Sequence, residues 1–190
     1  MKALPQRPGK AAFTLIELMV VITIIVILAG LVVGGMEYAN QRQASEKTKV
    51  QIALLSKGIE EYKLDMGAYP GTADGDVSEQ LYQALFKDGY DYTNPNTPPA
   101  SWTKATKIYL NDLDPRNNKQ GWVTTTTNAA PGANLKIIDP WGNNYRYRKG
   151  TNAQAQNHDF DLWSMGKDGK SNTANPSTTD PLNADDIRNF

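Results

Sequence analysis

Between Leu18 and Met36 the chain runs 19 consecutive uncharged residues, most of them Val, Ile and Leu. A helix needs about 20 such residues to cross the hydrocarbon core of a bilayer. Residues 1–12 carry Lys2, Arg7 and Lys10 and no acid. That charge asymmetry predicts a cytoplasmic N-terminus, with the bulk of the chain on the far side of the membrane. A secretory signal peptide has the same charge pattern. The run is longer than a typical signal core, however, and no small-x-small cleavage site follows it before the polar region. Gly34, Gly35 and Met36 lead directly into Glu37 and a helical pattern, so the segment is expected to be retained.

Glu17 stands inside this oily stretch, four positions after Phe13. A carboxylate at the centre of a bilayer costs about 2.5–3.5 kcal/mol on insertion scales. No other ionisable side chain lies in the segment to offset it. Were the basic leader removed before Phe13, the new α-amino group would be a cation of the right sign and depth. It would lie close to Glu17 within one helix turn, or could meet the Glu17 of a staggered neighbour. Fixing register is the best-attested use of a buried polar group. The competing reading is a Glu that snorkels to the membrane edge.

Residues 37–66 turn amphipathic. Ile52, Leu55, Ile59, Tyr62 and Met66 recur at spacings of 3, 4, 3 and 4, one stripe on a helix. Gly67 and then Tyr69-Pro70-Gly71 form a stop signal. A helix from Phe13 to Met66 spans roughly 80 Å at 1.5 Å per residue, and the adjacent Gly34 and Gly35 are candidate points of loosening. Residues 67–190 read as a globular head. Asp76-Val77-Ser78-Glu79 resembles a capping box for a short helix through Leu81, Ala84 and Leu85 that ends near Gly89. Residues 91–134, rich in Asn, Thr and Pro, read as loop, anchored by Trp102, Ile108, Tyr109, Leu110, Trp122 and Val123. Asp139-Pro140-Trp141-Gly142 has the residues of a type I turn. Tyr145–Arg148 and Phe160–Ser164 alternate in polarity and predict antiparallel strands. The fold class is therefore α+β, a long helix packed on a small antiparallel sheet with long loops.

Composition excludes several functions. The chain has 20 basic and 20 acidic side chains, without the basic surplus of a nucleic-acid binder. Arg146 and Arg148 alone make no basic patch. The absence of cysteine rules out disulfides and thiolate chemistry. His158 is the single histidine and reads as an exposed loop residue, and no nucleophile elbow or phosphate loop is present. No enzymatic activity is expected. Asp168, Asp185 and Asp186 supply carboxylates for a hard cation, although solvated loop acids present the same pattern. Asp74-Gly75-Asp76 lacks EF-hand spacing and reads as a turn.

Phe13-Thr14-Leu15-Ile16-Glu17-Leu18, after a basic leader and before a Val/Ile-rich run, resembles the class III signal of type IV pilins and pseudopilins. The resemblance implies cleavage by a prepilin peptidase between Ala12 and Phe13, N-methylation of Phe13, and Glu17 as the assembly register charge. Ala12 departs from the usual Gly before the cut, and Gly34 stands where the family often has Pro. A narrower resemblance covers the head. Tyr62-Lys63-Leu64-Asp65 with Tyr69-Pro70, Asp139-Pro140-Trp141-Gly142 with Tyr145, Phe160–Gly169 and Asp185–Phe190 look like the major pseudopilin of type II secretion, the G subunit. The segments 91–134 and 170–183 look longer than usual for it.

The G-subunit resemblance implies a pilin-like fold divided into leader 1–12, transmembrane and filament-core segment 13–36, amphipathic segment 37–66 and periplasmic head 67–190. It implies calcium held by the side chains of Asp168, Asp185 and Asp186 and by carbonyls of Met165 and Asn183. The expected partners are further copies of the chain in a periplasmic filament, the prepilin peptidase, minor pseudopilins, the inner-membrane assembly platform and, before assembly, inner-membrane lipid. No nucleic-acid partner is expected. The alternatives are a type IV pilin for adhesion, motility or DNA uptake, and a membrane-tethered calcium-dependent hydrolase.

Overall fold

The computed structural model describes residues 14–71, 78–93, 105, 107–118, 120–124, 135–172, 174 and 179–190. Two compact units divide the chain, Met1–Gln41 and Arg42–Phe190. The helix α1, Leu15–Met66, begins in the first and ends in the second. It is helical through Gly30, Gly34 and Gly35, so the loosening expected at the glycine pair does not occur. Nothing lies within 4 Å of a Cβ built at any of the three. The i→i+4 ladder there has neither a proline nor an inserted group to break it. The expected end at Met66 is correct. Gly67 follows with φ 74°, and its N–H donates to the Lys63 carbonyl at 2.8 Å, a left-handed helix cap.

In the second unit, α1 buries Thr48, Gln51, Ile52, Leu55, Gly58, Ile59 and Tyr62. Four of these are members of the sequence stripe, and Met66 is partly buried against the same core. A short helical run packs there too: α2 Ser78–Tyr82, a π turn Gln83–Lys87, and α3 Asp88–Thr93. Leu81, Tyr82, Leu85 and Phe86 point into the core. Each such side chain contributes about 1.5–3 kcal/mol when fully buried. Gly89 does not end this run, contrary to the sequence expectation. It lies inside α3, where the chain at Lys107–Ile108 passes so closely that an added Cβ would collide with its backbone. The Asp76 and Val77 of the proposed capping box lie outside the described residues. Ser78 instead inserts its hydroxyl beside Ile137, donating to its carbonyl and accepting from its N–H, both at 2.6 Å.

Within the long loop region, Tyr109, Leu110, Leu113, Trp122 and Val123 are buried as anchors, whereas Trp102 lies outside the described residues. Two 3-10 turns, Asn111–Leu113 and Pro115–Asn117, break the loop, and Val123 bridges Ile137. The sheet has three antiparallel strands in the order β1 Arg146–Lys149, β2 Phe160–Ser164, β3 Ile187–Arg188. Tyr147 pairs with Leu162, and Trp163 with Arg188. Tyr145 joins sheet and helix, its hydroxyl donating to Gln51 Oε1 at 2.7 Å. The architecture is α+β, a long N-terminal helix followed by a small antiparallel sheet.

Candidate assembly helix and C-terminal acidic loop

Thr14 and Glu17 open α1. The Glu17 N–H donates to Thr14 Oγ1 at 3.3 Å, while Glu17 Oε2 accepts from the Thr14 N–H and hydroxyl, each at 2.8 Å. This is a reciprocal capping box, in which the first turn's orphan donors are satisfied by the two side chains. The Thr-x-x-Glu spacing that encodes it was visible in the sequence beside the charge argument. The structure thus gives Glu17 a local hydrogen-bond set; Ala12 and Phe13 lie outside the described residues.

Beyond this turn the large apolar side chains from Leu15 to Met36 remain exposed, from 48% at Val21 to 76% at Leu15. Apolar surface this extensive on a water-soluble monomer is a mark of membrane or protein contact. Among the described residues, α1 is the one helix long and apolar enough to cross a membrane.

At the other end of the chain, the turn after β2 meets the segment before β3. Gly166 has φ 61°, and a Cβ there would collide with the backbone and carboxylate of Asp185. Asp185 Oδ2 accepts the Asp168 N–H at 3.1 Å, and Asp168 Oδ1 accepts the Lys170 N–H at 2.8 Å. Ser171 donates to Asp186 Oδ2 at 2.8 Å and lies 3.3 Å from Asn183 Oδ1. Arg188 contacts the same Asp186 oxygen and the Asn183 carbonyl, each at 3.2 Å. Asp186 has a side chain only 1% exposed. Its other oxygen, Oδ1, is buried without a hydrogen-bond partner. Burial pushes the Asp186 carboxyl up; the Ser171 hydroxyl and Arg188 charge oppose this, and Asp185 adds to it. Met165 is buried, its sulfur accepting from Arg146 Nε at 3.4 Å.

The structure therefore brings Asp168, Asp185, Asp186, Asn183 and Met165 into two touching segments. It does not bring the three carboxylates to one point: among the described residues, no three acidic, histidine or cysteine side chains gather closely enough to hold a metal. Asp168 and Asp185 instead cap the loop's own N–H groups. Sequence reasoning overlooked Ser171, whose hydroxyl stands among these groups and also accepts from Trp163 Nε1 at 3.1 Å.

A second missed group bonds to the last residue of β2. Asp139 is 1% exposed; its Oδ1 accepts the N–H groups of Trp141 and Asn143 at 3.0 and 2.8 Å. Gly142 donates to the Asp139 carbonyl at 2.9 Å, closing the expected turn. Asp139 Oδ2 accepts from Ser164 Oγ at 2.6 Å. Burial pushes the Asp139 carboxyl up, against hydrogen bonds from Ser164, Asn143, Trp141 and Gly142 that lower it.

Residues 7–33 match the prokaryotic N-terminal methylation motif, and residues 113–180 match the type II secretion system protein G family. The chain is 32% identical to a type II secretion system core protein G of Pseudomonas aeruginosa, over 87% of this chain and 89% of that protein. It is 30% identical to the protein of that name from Escherichia coli strain K12, over 94% of each. For the one from Vibrio cholerae the identity is 29%, over 90% of this chain and 87% of the relative. With an exposed apolar helix, a three-stranded sheet and likeness along almost its whole length to these proteins, the chain belongs to the type II secretion system core protein G family.

Proposed function

We propose that this chain is a major pseudopilin, a structural rather than catalytic subunit. Its copies pack through residues 13–36 into a periplasmic filament that helps move folded proteins out of the cell. The observation that carries this reading is the apolar surface of Leu15–Met36, exposed on all sides and interrupted by the single acid Glu17. Before assembly the same surface faces inner-membrane lipid, with the N-terminus cytoplasmic and the head periplasmic. A prepilin peptidase cuts between Ala12 and Phe13 and leaves a methylated Phe13, whose amine pairs with Glu17 of a neighbouring copy and fixes register. Minor pseudopilins and the inner-membrane assembly platform are the remaining partners.

The mass of the mature N-terminus tests this directly. A chain beginning at methylated Phe13, recovered from filaments isolated from the cell envelope, is the expected result. A chain from cells that keeps its first twelve residues overturns the proposal.

Calcium is the proposed cofactor of the acidic loop. The donors there are hard oxygens of the kind calcium takes, and the buried, unpaired Asp186 Oδ1 is an acceptor that a cation would satisfy. The three carboxylates do not converge in this structure, so binding would draw Asp168 and Asp185 off the N–H groups they cap and towards Asp186, with the carbonyls of Met165 and Asn183 completing the set. Bound metal would stabilise the folded head by mass action. The measurement is thermal melting of the full chain in detergent with calcium or with chelator; an unchanged midpoint removes the metal from the account.

A further inference from the structure

We infer that the turn Asp139–Asn143 positions the calcium loop, by holding both peptide groups that flank Gly166. The inference rests on the calcium reading above.

Gly166 is where the loop after β2 touches Asp185. With φ 61° and no Cβ, it lets the Asp185 backbone and carboxylate approach to a distance that any other residue would block. Such an approach is useful only if Gly166 itself is fixed. Its N–H donates to Ser164 Oγ at 3.1 Å, and that hydroxyl in turn donates to Asp139 Oδ2 at 2.6 Å. Its carbonyl accepts from Asn143 Nδ2 at 2.8 Å. The Asn143 side chain also lies against Gly169, whose φ is 65° and whose added Cβ would fall 2.8 Å from Asn143 Oδ1. One turn thus grips the loop at Gly166 and abuts it at Gly169, on either side of Asp168. Asp139 and Ser164 are 1% and 0% exposed, so the chain of bonds is shielded from competing water.

None of Asp139, Asn143 and Ser164 is a proposed ligand. They act one step behind the ligands, and removal of groups in that position typically lowers metal affinity 10–100-fold. A role confined to folding would instead lower the melting point with calcium affinity intact.

The test uses full-length protein in detergent: the parent, Asn143→Ala at a half-exposed site, and Ser164→Ala in the core. Calcium affinity is measured by calorimetric titration, and melting is measured in excess chelator. The expected result is a Kd weakened about tenfold or more in both variants, with a chelator-state midpoint that moves little in Asn143→Ala. Parent-like affinity in Asn143→Ala overturns the inference while leaving the calcium reading intact. Absence of saturable calcium binding in the parent overturns the calcium reading and this inference with it.

Discussion

Arg148 and Asp161 face each other across the β1–β2 pair with side chains only 4% and 0% exposed, their nearest charged atoms 4.0 Å apart. Arg148 also donates to the Gln154 carbonyl at 2.8 Å, and its guanidinium lies 5.3 Å from the centre of the Trp163 ring. Asp161 accepts the N–H groups of Gln156 and Asn157 at 2.9 and 2.8 Å. The pair therefore fastens the loop that joins the two strands. Removing one partner of such a pair leaves a buried charge and costs about 3–5 kcal/mol. Asp161→Ala is expected to lower stability by about that much, read from chemical denaturation. A loss below ~1 kcal/mol would mean that water reaches Arg148 in the native state.

Gly89 offers a second, purely steric test. A methyl group there would overlap the backbone at Lys107 and Ile108, which has no rotamer by which to withdraw. Gly89→Ala should destabilise by about 1–3 kcal/mol, despite the usual gain in helix propensity. A neutral or stabilising result, measured by melting, would show that the loop at 107–108 can move aside.

For the start of α1, loss of an N-cap hydroxyl typically costs about 1 kcal/mol. Thr14→Ala should accordingly speed amide exchange in the first turn of the detergent-solubilised chain. On the proposed register role, Glu17→Leu should still be cut before Phe13 yet give few filaments. Electron microscopy of filaments isolated from the cell envelope, together with the mature mass, checks this; normal filaments from Glu17→Leu would remove the register role.

Asp139 gives a pH dependence whose expected sign follows from its burial. Its folded value is raised, first by burial, so the native state binds the proton more tightly than the unfolded chain. As pH falls through the folded value towards the ordinary aspartate range near 3.9, this group adds stability, and the gain levels off below that range. As pH rises again the gain is lost. In chelator, the parent should gain on Asp139→Asn over that window as the solution is acidified. Parallel melting curves for the two proteins at every pH would contradict the assigned sign.

Local pattern made much of the fold legible. The stripe Ile52–Met66 and the Gly67 stop were readable because helical periodicity and a left-handed glycine are properties of a few adjacent residues. Strand β3 was not, since Ile187–Arg188 is too short to show alternation. Gly89 was read as a stop because a glycine near a helix end usually is one; its actual partner, Lys107, is remote in sequence. Alternation in β2 suggested one wet face, whereas Asp161 is buried by a loop and an arginine that local sequence does not put there. The acidic loop was legible in its acids. Its support was not, because the bonds from Asp139 and Asn143 cross more than twenty residues of chain.

The π turn Gln83–Lys87 holds the Leu85 carbonyl where the N–H groups of Tyr109 and Leu110 reach it, at 2.9 and 3.2 Å. That attachment is made by main chain alone, so it is indifferent to which side chains drift at 109 and 110. It depends instead on residue count. Deleting a single position from 83–87 would rotate everything downstream in the run by about 100°, turning Gly89 away from the strand of backbone it accommodates.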